Sequence, residues 1–346
     1  MQKNLNEYKK ELLNREYEKY LDLSVQLPRV ITSYINVKAV NWEDSTTTAY
    51  AEDILMFLQY LISHNPSLAD KEPKDISEEV LNMLTYEDIN EYLIFLKKAC
   101  DNSQKTMARR LSAIRGFFKY AAAHNILGSD PTAGAESVRI KTEKHINTLS
   151  KDEVSKVSHA IEYTELSGRK ALFSEKTKFR DMAIFTLLSH VGLRVSECAG
   201  LNLSSIDFEE RCLYVVRKGN LQDRVYFDND VYHALKDYIE LERPAFTPKN
   251  GWDDTPLFFS IRKKRMEIRG IQHMLKKYTD ASIPMHDKVS PHVLRKTYGT
   301  ALYMKTGDPK LVQSVLGHKN ISTTVNSYIG NDRKWEAKDI DVYGND

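Results

Sequence analysis

CLYVVRKGNLQDRVYF, residues 212–227, decides the fold class of this chain. CLYVV (212–216) and RVYF (224–227) are short runs of β-branched and aromatic residues, joined by a connection containing Gly219. They are predicted to pair as a β-hairpin with Lys218 near its tip. On either side of this stretch the apolar residues recur at intervals of three and four, the spacing of helices. Helices are expected over 178–191 before it and over 229–243, 266–279, 291–305 and 308–316 after it. The expected class is therefore mainly α with a small antiparallel β-sheet.

Further upstream the helical pattern continues. Ser45 is a plausible N-cap, and Ala51, Ile54, Leu55, Leu58 and Leu61 then form one stripe, which predicts a buried-face helix over 45–63. Residues 86–98 give another. In 103–123 the stripe is Met107, Leu111, Ile114, Phe118 and Ala121, while Lys105, Arg109 and Lys119 fall on the opposite side at ~100° per residue. One face of that helix packs and the other can meet phosphate. The pattern breaks at LGSDPTAGAES (127–137), rich in Gly, Pro and Ser, and continues as the polar, basic VRIKTEKHIN (138–147). Ser150 precedes Glu153 by three residues, a capping pattern that opens the next helix. The division expected is a helical domain 1–137, a linker 138–147 and a second domain 148–346.

Composition sets bounds on function. The chain has 346 residues, 41% hydrophobic and 28% charged, enough for a large core and for two domains. No apolar run approaches the ~18 residues of a membrane span, and no apolar stretch stands behind MQKNLNEYKK, so the expected location is cytoplasmic with no membrane partner. Cys100, Cys198 and Cys212 are odd in number and form no CxxC pair, which argues against a disulfide frame or a structural zinc site. The net charge of +2 identifies no partner, but its distribution is uneven. Residues 97–119 carry seven basic side chains against Asp101, and 262–277 carry seven against Glu267. Lys105, Arg109, Arg110, Arg115 and Lys119 are the candidate contacts to DNA.

The chemistry lies in the second domain. Arg194 in GLRVSE (192–197), Lys218, His292 and Arg295 in HVLRKT (292–297), His318 after LG (316–317) and Tyr328 in NSYIG (326–330) follow one another in order. Taken singly, each has a plainer reading: a salt-bridged Arg194 with Glu197, a solvated loop lysine, a chance HxxR pair, a histidine after a helix end, one of 19 tyrosines. Together they are a kit for breaking a phosphodiester. Attack on that anion builds more negative charge on its non-bridging oxygens, and two guanidinium forks answer this better than ammonium groups. A phenol titrating near ~10 needs a base or a positive field, and the departing 5′ oxygen needs a proton. His292 or His318 suits the first step and Lys218 the second.

With those motifs, the second domain resembles the catalytic α+β domain of the tyrosine recombinase (phage-integrase-like) family. The first resembles that family's helical, SAM-like core-binding domain. The resemblance implies Arg194 as the first arginine, Glu197 as its supporting carboxylate and Lys218 as the hairpin lysine. It implies His292 and Arg295 as the HxxR pair, His318 as the late histidine and Tyr328 as the nucleophile. One position departs from the family pattern: Lys296 stands where His is frequent. Length, the lack of a separate arm-binding domain and LSGRKALFSEKTKFRDMAIFTLL (166–188) are most similar to the Xer group, particularly the single-recombinase type of Gram-positive bacteria. The resemblance implies a homotetramer on two double-stranded DNA sites, a 3′-phosphotyrosine intermediate and no metal, ATP or other cofactor. A DNA translocase is a partner in the Xer case, where the role is chromosome dimer resolution. An integrase or excisionase of a mobile element uses the same residues. So does a type IB topoisomerase, and a non-catalytic DNA-binding protein of this fold would normally lack one of them. The segment 331–346, with Trp335, Ile340 and Val342 among charges, is a candidate for docking on a neighbouring protomer.

Overall fold

The computed structural model describes residues 7–140, 147–163, 169–217, 221–247, 256–286 and 288–317. Lys218, His318, Tyr328 and the segment 331–346 lie outside the described residues. The chain divides into two compact units, Lys9–Glu143 and Met1–Tyr8 with Lys144–Asp346.

The first unit is built from helices: α1 (Glu7–Ser24), α2 (Arg29–Ala39), α3 (Asp44–His64), α4 (Glu78–Asn82), α5 (Tyr86–Lys98) and α6 (Gln104–Ala123). Its core forms because the apolar stripes of α2, α3, α5 and α6 turn toward one another, with Ile31, Ile54, Phe57, Leu58, Tyr92, Ile114, Phe117 and Phe118 almost fully buried. Burial of that apolar area is the main term holding the helices together. Ser45 is not the cap of α3. The helix starts one residue earlier, with Glu43 in extended backbone as N-cap and its carbonyl accepting from Thr46 N and Thr47 N. α6 begins as its sequence suggests, with Ser103 Oγ accepting from Thr106 N at 3.2 Å.

The second unit opens with α7 (Lys151–Glu162), capped reciprocally: Ser150 N donates to Glu153 Oε2 at 2.8 Å and Glu153 N donates to Ser150 Oγ at 3.2 Å. α8 (Arg169–Glu175) follows, then α9 (Lys178–Thr186), which widens into a π-helical turn at Leu187–Val191 and stops at a left-handed Gly192 (φ 67°). A single helix to 191 was expected. Thr186 and Ser189 give their hydroxyl protons to Met182 O and Phe185 O, each at 2.8 Å, and such back-bonding competes with a regular ladder. α10 is short (Val195–Gly200).

The sheet is three-stranded and antiparallel in the order β1 (Ile206–Asp207), β2 (Cys212–Val216), β3 (Gln222–Tyr226). Leu213 pairs with Val225 and Val216 with Gln222, so the hairpin read from sequence is present, and β1 adds two residues too few to show a period. α11 (Asn229–Asp237) runs through a second π-helical turn, Tyr238–Glu242, into α12 (Arg243–Phe246). Pro244 explains the interruption, since it lacks an N–H and its ring crowds the preceding turn. α13 (Ile268–Ser282), α14 (Pro291–Thr306) and α15 (Pro309–Leu316) complete the unit. α15 ends at Gly317, left-handed at φ 61°.

A cluster of arginines around one buried carboxylate

Arg194 is the N-cap of α10, and this places it one turn from Glu197. Its backbone N donates to Glu197 Oε2 at 2.8 Å and its Nη1 to Glu197 Oε1 at 2.7 Å. Glu197 is almost fully buried, and a buried carboxylate persists only when paired. Two more guanidiniums meet it: Arg217 Nη1 at 3.4 Å and Arg295 Nη1 at 3.9 Å. Arg217 also pairs with Asp223 at 3.0 Å, so three cations face two carboxylates and an excess of positive charge remains.

The end of α15 enters the same cluster. Arg295 donates to Leu316 O and Gly192 O, Arg217 to Leu316 O and Val315 O at 3.0 Å each, and Arg194 to Gly317 O at 3.2 Å. The last carbonyls of a helix carry its partial negative charge, so cations suit them. The three guanidiniums are not equally accessible. The Arg194 side chain is 35% exposed, against 3% for Arg295 and 8% for Arg217. Arg194 alone among them offers a substantial outer face.

His292 sits in the first turn of α14, one turn before Arg295, with Pro291 at the first helical position as read from sequence. Although exposed at one edge, it is held below the ordinary histidine value by its protein surroundings and then by the positive charges of Lys296, Arg295 and Arg194. Both candidate phosphate ligands thus act electrically on the candidate base. Lys296, the departure from the family pattern, adds to that field and favours the neutral imidazole.

The structure brings Arg194, Glu197, His292 and Arg295 together. Arg217 and the carbonyls of α15 were missed. Arg217 directly precedes Lys218, yet nothing in a strand-end arginine announces a partner 98 residues away at Val315.

The candidate DNA contacts on α6 separate into two groups. Lys105 and Lys119 are exposed. Arg109 is exposed too, but pairs with the buried Asp53, which also lies 3.7 Å from Arg110 Nε. Arg110 is largely covered, and Arg115 donates to Ala135 O at 3.0 Å. The second basic run divides likewise. Arg262, Lys263 and Lys264 are exposed at a tight turn closed by Ser260 N to Lys264 O at 2.8 Å. Arg265 and Lys277 point inward, to Leu201 O at 2.9 Å and Asp181 at 3.1 Å.

Among the described residues one group could present ligand atoms to a metal, His190, Asp228 and Asp230. Asp228 already caps α11 through Val231 N at 3.0 Å and pairs with His190 at 2.9 Å, which accounts for the group structurally.

Residues 147–334 match the phage integrase family, and residues 40–125 match its N-terminal SAM-like domain. The chain belongs to the phage integrase family. Within it, the chain is similar to tyrosine recombinase XerC of Caldanaerobacter subterraneus subsp. tengcongensis, at 31% identity over 87% of this chain and 83% of that protein. It is also similar to XerC of Thermodesulfovibrio yellowstonii, at 30% over 85% and 89%, and to XerD of Oceanobacillus iheyensis, at 30% over 81% and 86%. It is a Xer-type tyrosine recombinase, an enzyme of site-specific DNA recombination. The fold agrees. The XerH site-specific recombinase bound to its palindromic difH substrate superposes with a TM-score of 0.63 at 17% identity, over 90% of this chain and 94% of that one. Lambda integrase bound to a core site gives 0.61 at 17%, over 85% and 95%. Among the described residues no helix is long and apolar enough to cross a membrane.

Proposed function

We propose that Tyr328 attacks the scissile phosphate of a double-stranded DNA recombination site and that the arginine cluster around Glu197 stabilises the charge that develops. The phenolic oxygen bonds to phosphorus, and the bond to the 5′ oxygen breaks. A 3′-phosphotyrosine and a free 5′ hydroxyl remain, and the hydroxyl later attacks a partner strand. His292 or His318 takes the phenolic proton, and Lys218 protonates the leaving oxygen. Arg194 meets the phosphate first, with its exposed face. Arg295 joins when phosphate oxygens replace the carbonyls of Gly192 and Leu316 as its acceptors. The bond energy stays in the covalent link, so the reaction needs no cofactor.

Lys105, Arg109 and Lys119 supply the outward-facing cations of the helical domain, and Arg110 and Arg115 hold the helix that presents them. Affinity built on phosphate contacts falls steeply with salt. The biological role proposed is chromosome dimer resolution in the cytoplasm, during chromosome partition in the cell cycle. A homotetramer would act on two sites with a DNA translocase as partner. Xer relatives covering most of the chain support that role.

The observation that carries the reading is the convergence of Arg194 and Arg295 on one buried carboxylate, with His292 inside their field. The test is a suicide duplex nicked beside the cut. It traps a covalent adduct with the parent protein and none with Tyr328→Phe. An adduct that persists in Tyr328→Phe places the nucleophile elsewhere.

A further inference from the structure

Arg217 belongs to the cluster around Glu197 but has no contact with the reacting atoms in the chemistry just described, yet it joins the elements that carry it. Its backbone N donates to Leu221 O at 2.8 Å and closes the hairpin stem directly before Lys218. Its Nε donates to Asp223 on β3 at 3.0 Å, which braces the opposite strand. Nη1 lies 3.4 Å from both oxygens of Glu197 and 3.0 Å from Leu316 O, and Nη2 lies 3.0 Å from Val315 O. The guanidinium also rests against Gly317. A β-carbon there would fall 2.8 Å from Arg217 Cζ and Nε.

We propose that Arg217 is a positioning residue of DNA cleavage, which fixes the hairpin stem that leads into Lys218 against the end of α15 and the carboxylate that holds Arg194. Unlike Arg295, it is tied through Nε to a second carboxylate, Asp223, as well as to Glu197 and the carbonyls of α15, and its role is to hold these elements rather than the phosphate. A lysine in its place would keep the charge but not the planar fork that reaches a carboxylate on one side and helix carbonyls on the other. The proposal rests on the assignment of Lys218 as the acid for the 5′ oxygen.

The test uses the full chain and two nicked duplexes, one with the natural 5′ oxygen at the cut and one with sulfur in that bridging position. In both, Tyr328 bonds to phosphorus and the bond to the 5′ atom breaks. Oxygen departs only with a proton, whereas sulfur departs as a stable thiolate and needs none. Arg217→Ala and Arg217→Lys are expected to slow single-turnover cleavage of the oxygen duplex about 100-fold, with DNA affinity retained. On the sulfur duplex most of that loss disappears. Lys218→Ala is the control for the acid and should show the same recovery. Recovery of Lys218→Ala but not of the Arg217 variants overturns the role of Arg217, as does undiminished cleavage of the oxygen duplex by them. A Lys218→Ala that sulfur does not restore overturns the acid assignment and the proposal with it. If Arg217→Ala fails to fold, as a thermal melt would show, Asp223→Asn reads the same role more weakly by releasing the guanidinium from the opposite strand. A sulfur-insensitive loss there counts against the proposal.

Discussion

Each unit of this recombinase is organised around a buried carboxylate with arginines, Asp53 in the helical unit and Glu197 in the catalytic unit, and the two are put to different use. Asp53 meets Arg109 and Arg110, neighbours in sequence on α6. Desolvation pushes its carboxyl up to about 6 even against those two cations. The arrangement anchors α6 to α3. Glu197 gathers Arg194, Arg217 and Arg295 from three separate segments and is joined by the carbonyl end of α15. That arrangement concentrates cationic donors where an anionic transition state needs them. Adjacency of basic residues in sequence is thus a poor guide to a binding face, since half of such a run can be scaffold, while the functional cluster is assembled from distant residues by the fold.

The comparison can be broken by removing one arginine from each cluster. Arg194→Ala should lower single-turnover cleavage by about 10²–10³, the usual effect of deleting a donor to developing charge, while the protein stays folded because Arg217 and Arg295 remain on Glu197. If Arg194→Ala instead unfolds the protein and spares the rate of what remains folded, the Glu197 cluster is scaffold as well.

A smaller contrast lies within α6 itself. Arg110→Ala should destabilise the helical unit by about 1–3 kcal/mol, because it strips a partner from a buried carboxylate, and leave the salt dependence of DNA binding nearly unchanged. Lys119→Ala should leave stability within about 0.5 kcal/mol and lower the slope of log affinity against log salt by about 1. Denaturant titration and binding at several salt concentrations measure both. Exchange of the two phenotypes would reverse the assignment of inward and outward residues.

The smallest effect sharpens the electrostatics of the catalytic cluster. His292 is held below its ordinary value, so it is neutral over a wider range of pH and ready to accept a proton. If it is the base, cleavage falls as pH drops through its pKa. Lys296→Gln removes one of the depressing cations, lets that pKa rise and moves the acid limb of the rate profile to higher pH by a few tenths of a unit. An unmoved limb assigns the titration to another group.

Much of the fold was legible because its elements depend on local periodicity. The stripes of α3, α5 and α6, the pairing of β2 with β3 and the Ser150–Glu153 cap all appear in the structure. β1 was hidden by its two-residue length, and the π-helical turn at Leu187–Val191 by hydroxyl back-bonds that leave the hydrophobic pattern intact. At the site, Arg194, His292 and Arg295 stood out as residue types in sequence order. The link through Glu197 to Arg217, 20 residues on, and from Arg217 to the carbonyls of α15, 98 and 99 residues on, was illegible because it depends on approaches between separate segments that no local pattern announces. The inward turn of Arg110 and Arg115 was hidden for the same reason, since their partners Asp53 and Ala135 O come from outside the helix.

The central claim concerns one phosphate and one phenol, and peptide mapping of the trapped adduct tests it most directly. Proteolysis of the covalent complex formed on the nicked duplex should yield a single nucleotide-bearing peptide, modified on Tyr328. Nucleotide on Tyr298, a half-buried phenol on α14 whose pKa burial raises, or on any other tyrosine would contradict the account.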